Sequence, residues 1–576
     1  MVKSKAENSG RLGAAALFFL LLAIIIVARL FWLQIVEHKY YALLAADNHE
    51  IFEKLQPERG SLWWQDTRTK ETFPAAINKK YYLVYGVPRE IPRGELASTT
   101  AQVISILHIT DATSTQMIVA KLAQATSKYR PLAKKVSEEI VSDLKAARLT
   151  GIYTTAQEFR FYPEESLGGN VLGFVGSDKE GNLVGRYGLE GYFEKELAGE
   201  AGFLAGEKGA LGNWIALGQH AGVAAKHGAD LVLTLDRTLE YKACERLQQG
   251  MVDYAAKSAA LVLMNADTGA ILAMCSLPDF DPNNYSKVDN VQVYNNTAIF
   301  TPYEPGSVFK TMTMAAGLDL GIVTPATTYT DPCERTINGY RIRNAEGKCY
   351  GKQTMTEVLE KSINTGALWV EEKMGNEKFA AYVKKFGFGE RTGITMATEA
   401  IGDISSLSKA GQIFGANGSF GQGITAIPLQ IAGAYGAIAN GGQLMKPYIV
   451  EETRYADGQR ERASPQVVER VMSSRSASLL TGMLVSVVEN HYHSAKIDHY
   501  YVAGKTGTAQ IPERGHYSAE RTNHTFAGFA PVKNPHFVLV VKYEEPDRQW
   551  AESTALPVFK DVMQFTLNYY GVPAER

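Results

Sequence analysis

The chain has 576 residues, too many for one ordinary domain, and that length predicts roughly two to four. Its net charge is −2, with 21% charged and 45% hydrophobic residues, so no basic excess points to nucleic acid as a partner. Four cysteines exclude a disulfide-dense scaffold, and no Cys-x-x-Cys or His-rich cluster suggests a structural metal.

In chain order, the first signal is an apolar run. Leu12 to Ala28 carries no charge, Arg29 interrupts, and Leu30-Phe31-Trp32-Leu33 resumes. A spanning helix needs about 17–25 apolar residues, so residues 12–34 are expected to cross a membrane once. Arg29 is able to snorkel and Trp32 suits the headgroup level. Lys3, Lys5 and Arg11 put residues 1–11 in the cytoplasm and the rest outside. The rival reading is a cleaved leader, which has a shorter apolar core and a small-residue cleavage site. Gln34 to Tyr41 is bulky and charged instead.

Residues 35–228 read as a mixed α/β extracytoplasmic pedestal. Arg59 to Trp64 and Tyr81 to Gly86 look like strands, and Thr100 to Leu149 carries helical apolar spacing. Arg160 and Glu190 are expected to form structural ion pairs rather than to catalyse. A second domain is expected over 229–576. Leu231 to Asp236 is a strand ending in a helix N-cap, and Leu239 to Val252 an amphipathic helix. Ala259 to Asn265 and Ala270 to Met274 form a hairpin around Asp267-Thr268-Gly269. That pattern predicts an α/β (α+β) domain with a largely antiparallel sheet.

Chemistry concentrates at Glu304-Pro305-Gly306-Ser307-Val308-Phe309-Lys310. A Pro-Gly loop runs into an apolar helix, and Ser307 sits at a cap or first-turn position. Three residues apart on a helix, Ser307 and Lys310 share a face. A serine needs a base to become a nucleophile, and burial beside other cations lets a lysine serve. Ser142…Lys145 and Ser406…Lys409 repeat the spacing. The first lies on a charged helical face and the second has no apolar helix behind it.

Ser362-Ile363-Asn364 stands between two helical stretches, Thr354 to Lys361 and Thr365 to Met374. Such a break aims a hydroxyl and an amide at a cleft, although a pair of helix caps reads the same way. Lys505-Thr506-Gly507-Thr508 follows the strand-like Tyr500-Tyr501-Val502-Ala503. A lysine and two hydroxyls along a strand edge hold a carboxylate, and a nearby backbone N–H serves an oxyanion. A solvated edge strand guarded by lysine is the alternative.

Ser-x-x-Lys, Ser-x-Asn and Lys-Thr-Gly in this order resemble the penicillin-recognising serine acyltransferases. Glu304 to Lys310 resembles the nucleophile segment of class B penicillin-binding proteins, with Val308 where Thr is common. Phe420 to Ile424, Pro428-Leu429-Gln430 and Ala439 to Gly442 resemble their Gly-rich stretch, and Phe526 to Pro531 the strand after Lys-Thr-Gly. Arg59-Gly60, Arg160, Tyr187 to Glu190 and Leu235-Asp236 resemble their N-terminal signatures. The likeness runs from the apolar span to the end of the chain. Arg59 to Trp64 lacks the usual Asp-Arg-Asn-Gly continuation, and Glu240 stands where Gln is usual. The segment Leu556 to Lys560 is more like division-type members.

The resemblance implies a penicillin-binding, serine β-lactamase-like domain, an antiparallel sheet flanked by helices, that cross-links peptidoglycan. It implies Ser307 as nucleophile and Lys310 as proton acceptor, though such families leave the base open. Ser362 would relay a proton and Asn364 orient the donor amide. Lys505, Thr506, Gly507 and Thr508 would bind the terminal carboxylate, and the N–H groups of Ser307 and Thr508 the oxyanion. No metal or organic cofactor is implied. The implied partners are D-Ala-D-Ala stem peptides, an acceptor amine and β-lactams, with a membrane glycosyltransferase and other divisome or elongasome proteins. The implied place is the bacterial plasma membrane, in septal or lateral wall synthesis. A carboxypeptidase, a β-lactam-sensing hydrolase and a non-catalytic scaffold are the alternatives. Glu357, Glu360 and Glu371 near Ser362 have the spacing of solvated faces, so none is picked as a deacylating base.

Cys333 and Cys349 flank a polar hairpin-like segment and are placed either in a disulfide or as two free thiols. A bridge there would contribute about 3 kcal/mol in the loop-entropy picture. Cys244 and Cys275, on a helix and a strand, are expected to pack as small hydrophobes.

Overall fold

A computed structural model describes residues 20–32, 35, 50–179, 182–207, 221–513 and 516–576. Among these, no helix is long and apolar enough to cross a membrane. The expected span at 12–34 lies partly outside the described residues; of it, 20–31 are helical, with Leu20, Ile24 and Ile25 exposed.

The chain divides into two compact units, residues 1–59 with 198–228, and residues 60–197 with 229–576. The smaller unit holds a three-stranded sheet in which Gly202–Glu207 lies between Glu50–Leu55 and Ala221–Val223. All of the expected catalytic residues lie in the larger unit.

The larger unit begins with β1 (Leu62–Gln65) and the long β2 (Thr72–Gly86), then α1 (Leu96–Ile106) and α2 (Ala112–Leu122). Next come β3 (Arg130–Val136), α3 (Glu138–Ala146) and β4 (Ile152–Phe161). Residues 130–136 were expected in a helical stretch and instead form a strand on β2. Pro131 removes an N–H that an interior helix position needs, while a strand at the margin of a sheet tolerates it. Arg160 Nε meets Glu190 Oε1 at 2.6 Å with both side chains buried, the structural ion pair expected.

After β5 (Asp230–Asp236), Asp236 caps α4 (Arg237–Asp253) by accepting from the N–H groups of Thr238 and Leu239. The hairpin is β6 (Ser258–Asn265) and β7 (Ile271–Leu277). Then follow α5 (Lys310–Asp319), α6 (Met355–Glu360), α7 (Asn364–Met374) and α8 (Pro428–Ala439). Further along come β8 (Val450–Arg454), β9 (Arg460–Arg462), α9 (Ser474–Asn490), β10 (Ala503–Glu513), β11 (His516–Ala530), β12 (Phe537–Glu544) and α10 (Ala555–Tyr569).

One seven-stranded sheet runs β9-β8-β5-β1-β2-β3, with β4 also paired to β2. The other has five strands in the order β7-β6-β12-β11-β10 and is antiparallel throughout, as expected. Every residue of β7 and all but the end residues of β6 and β12 are buried, the run of apolar positions expected of strands covered on both faces. One face packs α8, where Gly436 approaches Met264 and Val538; on the other, the ring of Phe559 from α10 lies 4.5 Å from that of Phe526.

All four cysteines are bridged, Cys333 to Cys349 and Cys244 to Cys275. The second pair corrects the expectation of two small hydrophobes. α4 packs along β7, and that contact brings together two residues 31 apart in sequence.

Candidate active site

The edge of the five-stranded sheet is β10, and its open side faces the turn that carries Ser307. Glycine makes this approach possible. A Cβ on Gly507 would lie 2.7 Å from the carbonyl oxygen of Pro305, and one on Gly306 2.9 Å from Cβ of Ala509. Gly306 has φ +59, and its N–H donates to the carbonyl of Gly421 at 3.0 Å. The Gly-rich stretch is thus a brace for the turn that carries Ser307.

Ser307 lies in a 3-10 turn, Gly306–Phe309, one step before α5, and is half-buried. Lys310 opens α5 and is 1% exposed. Its Nζ donates to the carbonyl of Ser362 at 2.6 Å and to Ser362 Oγ at 3.0 Å. Ser362 occupies the break between α6 and α7 with φ +53. A non-glycine residue there costs about 1–3 kcal/mol and persists only where its surroundings over-determine it. The Lys310 bond to its carbonyl is one such restraint. Asn364, at the first turn of α7, donates from Nδ2 to the Arg343 carbonyl at 2.7 Å.

Lys505 is completely buried. Its Nζ donates to Tyr492 Oη at 3.2 Å and to the Thr506 carbonyl at 3.3 Å. Thr506 Oγ1 donates to the same Tyr492 Oη at 2.8 Å, and Thr508 Oγ1 accepts from the Ala551 N–H at 3.1 Å. Burial and then repulsion from Lys505 hold Lys310 well below the usual amine range. Burial brings Lys505 down to about 7, with Glu552 opposing the fall. The direction of the Lys310 shift favours its neutral, proton-accepting form, while the attraction of Glu552 favours the charged form of Lys505.

The motif residues Ser307, Lys310, Ser362 and Lys505 come together around the turn, whereas the other two Ser-x-x-Lys pairs do not join them. Ser142 and Lys145 are exposed on α3, and Ser406 bonds the Gly423 carbonyl while Lys409 stacks over Phe414. The β10 strand starts at Ala503, so Tyr500 to Val502 are not part of it.

Two neighbours of Lys505 were not legible beforehand. Tyr492 follows α9 with no motif around it. Glu552 stands one residue after Ala551. Glu304 accepts from the Gly423 N–H at 3.0 Å and Tyr517 Oη at 3.3 Å, and burial pushes its carboxyl up to about 6. Glu371 also differs from expectation. It is not solvated but 1% exposed, against Gly415, and burial raises its carboxyl to about 7.

A half-buried serine followed three residues on by a buried lysine, with a second buried lysine on the facing edge of an antiparallel sheet between helices, is the arrangement of a serine acyltransferase. The family description "Penicillin binding protein transpeptidase domain" matches residues 259–564, and the penicillin-binding protein dimerisation domain matches 54–233. Stage V sporulation protein D of Bacillus subtilis is 32% identical over 569 residues, 98% of this chain and 86% of that protein. Penicillin-binding protein PbpB of Mycobacterium tuberculosis is 31% identical over 470 residues, 79% and 68% of the two chains. Among solved structures, penicillin binding protein 3 of M. tuberculosis with aztreonam gives a TM-score of 0.68 at 26% identity, over 91% and 98%. Penicillin Binding Protein 2X of Streptococcus thermophilus shares the fold, with a TM-score of 0.74 at 22% identity over 90% and 81%. The chain belongs to the class B penicillin-binding proteins, the peptidoglycan transpeptidases whose dimerisation domain precedes the catalytic one.

Proposed function

We propose that Ser307 is the acylated residue and that Lys310 takes its proton. The observation that carries this reading is the placement of Lys310 Nζ on Ser362 with Lys505 buried close by. Ser307 Oγ attacks the carbonyl between the two D-alanines of a donor stem peptide, held in place by Asn364. The N–H groups of Ser307 and Thr508 receive the oxyanion. Ser362 passes the proton from Lys310 to the departing amine, the C–N bond breaks and terminal D-Ala leaves. Its carboxylate is held by Lys505, Thr506 and Thr508, with Gly507 admitting the close approach. An acceptor amine then attacks the ester, a new amide forms, and Ser307 regains its proton. β-Lactams enter the same path, and penicillin binding protein 3 of M. tuberculosis has been solved in complex with aztreonam and with ampicillin.

The long apolar run and the cations ahead of it support a single membrane anchor at 12–34, with residues 1–11 cytoplasmic. They put a pedestal at 35–228 and the transpeptidase at 229–576 outside. A membrane glycosyltransferase and other divisome or elongasome proteins are the fitting partners, in septal or lateral wall synthesis, with Leu556 to Lys560 more like division-type members. Peptide mapping of the protein labelled with penicillin tests the central claim. The label is expected on Ser307, and label on Ser142 or Ser406 would refute it.

A further inference from the structure

The paired strands β2 and β4 have two unlike faces. Tyr82 and Val84 turn into an apolar cluster with Val136, Val141 and Leu144. The alternate positions carry rings and cations instead. Tyr85 stacks on Tyr153 at 5.7 Å and meets Tyr129 at 5.1 Å, while Tyr81 meets Phe159 edge-on at 6.1 Å. Lys79 Nζ lies 5.3 Å from the Tyr81 ring and 4.7 Å from that of Phe161, and Lys135 Nζ lies 5.8 Å from that of Phe159. Between the three tyrosines runs a groove of about 550 Å³, walled also by Arg89, Lys128 and Gln157.

Tyr129 is 48% and Tyr153 44% exposed. The aliphatic side chains of the groove, Leu83 and Val87, are buried beneath. What solvent meets is therefore aromatic and cationic, without the aliphatic anchors of an apolar protein contact. Arg89 and Lys128 line the groove with one carboxylate, Glu90, which pairs with Arg89 at 3.8 Å and accepts from Tyr153 Oη at 2.7 Å, while Lys79 and Lys135 add two cations outside the groove on the rings of Tyr81, Phe161 and Phe159. An aromatic face is electron-rich, and the C–H groups on one face of a pyranose ring are its complement. Cations beside it suit a polymer with carboxylates.

We infer that this face binds the glycan strands of peptidoglycan, the tyrosines stacking on sugar rings and the cations meeting stem-peptide carboxylates. The inference rests on peptidoglycan being the polymer that the chain cross-links. It gives the enzyme a hold on the wall separate from the catalytic cleft.

The test uses the full-length protein in detergent, acylated with benzylpenicillin so that the cleft is closed, and co-sedimented with purified sacculi. Wild type is expected to sediment, and Tyr153→Ala and Tyr85→Ala/Tyr129→Ala to bind at least tenfold more weakly. Lys79→Gln/Lys128→Gln is expected to weaken binding to intact sacculi and to leave binding to peptide-free glycan unchanged. Fluorescent penicillin must acylate all variants at the wild-type rate, which reports folding and the transpeptidase reading independently. Equal sedimentation of wild type and ring variants overturns the inference, as does a wild type that stays in solution. Photo-crosslinking from position 153 to a protein, with sacculus binding indifferent to the rings, assigns the face to a protein partner and overturns it too.

Discussion

Lys310 and Lys505 enter one cleft from a helix and from a strand edge, and neither reaches solvent. Desolvation disfavours both charges, and Lys505 further disfavours the charge on Lys310. Lys505 keeps its proton longer because Tyr492 and the Thr506 carbonyl accept from it and Glu552 attracts it. Acylation by a carboxylate-bearing β-lactam should then lose rate as pH rises past about 7, when free Lys505 loses its charge. Tyr492→Phe removes an acceptor from Lys505 and Thr506. A hydrogen bond to a charged group contributes about 1.5–3 kcal/mol, so acylation should slow roughly ten- to a hundredfold. The alkaline limb should also move to lower pH, because the ammonium form is the one destabilised. A slower rate with an unmoved limb would reduce Tyr492 to a packing residue. Glu240 offers a second titration. It is fully buried beside the Cys244–Cys275 bridge, accepts from the Met274 N–H at 2.7 Å, and burial raises it to about 8. The folded state thus holds a proton that the unfolded chain releases near 4.5, so stability is full below that value and falls until pH passes about 8. Glu240→Gln keeps the acceptor without the charge. Its unfolding free energy should match wild type near pH 4 and exceed it near pH 9 by several kcal/mol, at about 1.4 kcal/mol per unit, and its melting temperature at pH 9 should be the higher one. Equal melting temperatures at pH 9 would show that Glu240 does not titrate this way.

Elements with a clean local pattern were legible in the sequence. β5, α4, β6 and β7 lie within a residue or three of their expected ends, since Asp236 caps and Asp267-Thr268-Gly269 turns by local chemistry. The helix break at Ser362 was legible for the same reason, since Thr354 and Glu357 form a capping box that starts α6. β3 was not, because Arg130–Val136 owes its extended form to the β2 ladder rather than to alternation. The 3-10 turn at Ser307 was missed for a similar reason, its shape being held by Gly421 from more than a hundred residues away. Tyr492 and Glu304 act through contacts that only the folded chain creates. The cysteines divide in the same manner. Cys333 and Cys349 flank a local hairpin, Glu334–Ile337 with Tyr340–Arg343, whereas Cys244 and Cys275 meet only when α4 packs on β7. Both bridges lie in the part of the chain proposed to face the oxidising side of the membrane. Denaturing the purified protein without reductant should therefore expose no reactive thiol. Two reactive thiols would break one bridge, and peptide mapping would say which.

At the scale of the whole molecule, a cross-linking enzyme must keep its acyl-enzyme until an amine arrives, so water at the ester has to stay poorly activated. A class A β-lactamase deacylates with a glutamate acting through bound water. Of the carboxylates that flank Ser307 and Ser362 in sequence, Glu357 and Glu360 are held by hydrogen bonds of their own. Glu357 accepts from the Thr354 N–H and pairs with Lys361 at 3.1 Å, while Glu360 accepts from Asn490 at 2.9 Å. Glu371 is buried against Gly415, and one Glu304 oxygen is taken by Gly423 and Tyr517. Glu304 is the carboxylate closest to Ser307 in sequence and titrates near 6, so it is the one to test directly. The penicilloyl adduct on Ser307 should outlast its own formation by orders of magnitude, and Glu304→Gln should leave its lifetime unchanged. The measurement is a chase: label the purified protein, remove free drug, and follow the adduct by intact mass. Loss within seconds, with catalytic turnover of the antibiotic, would make the chain a hydrolase. A wild-type adduct that decays measurably and persists in Glu304→Gln would name Glu304 as the base that activates the water.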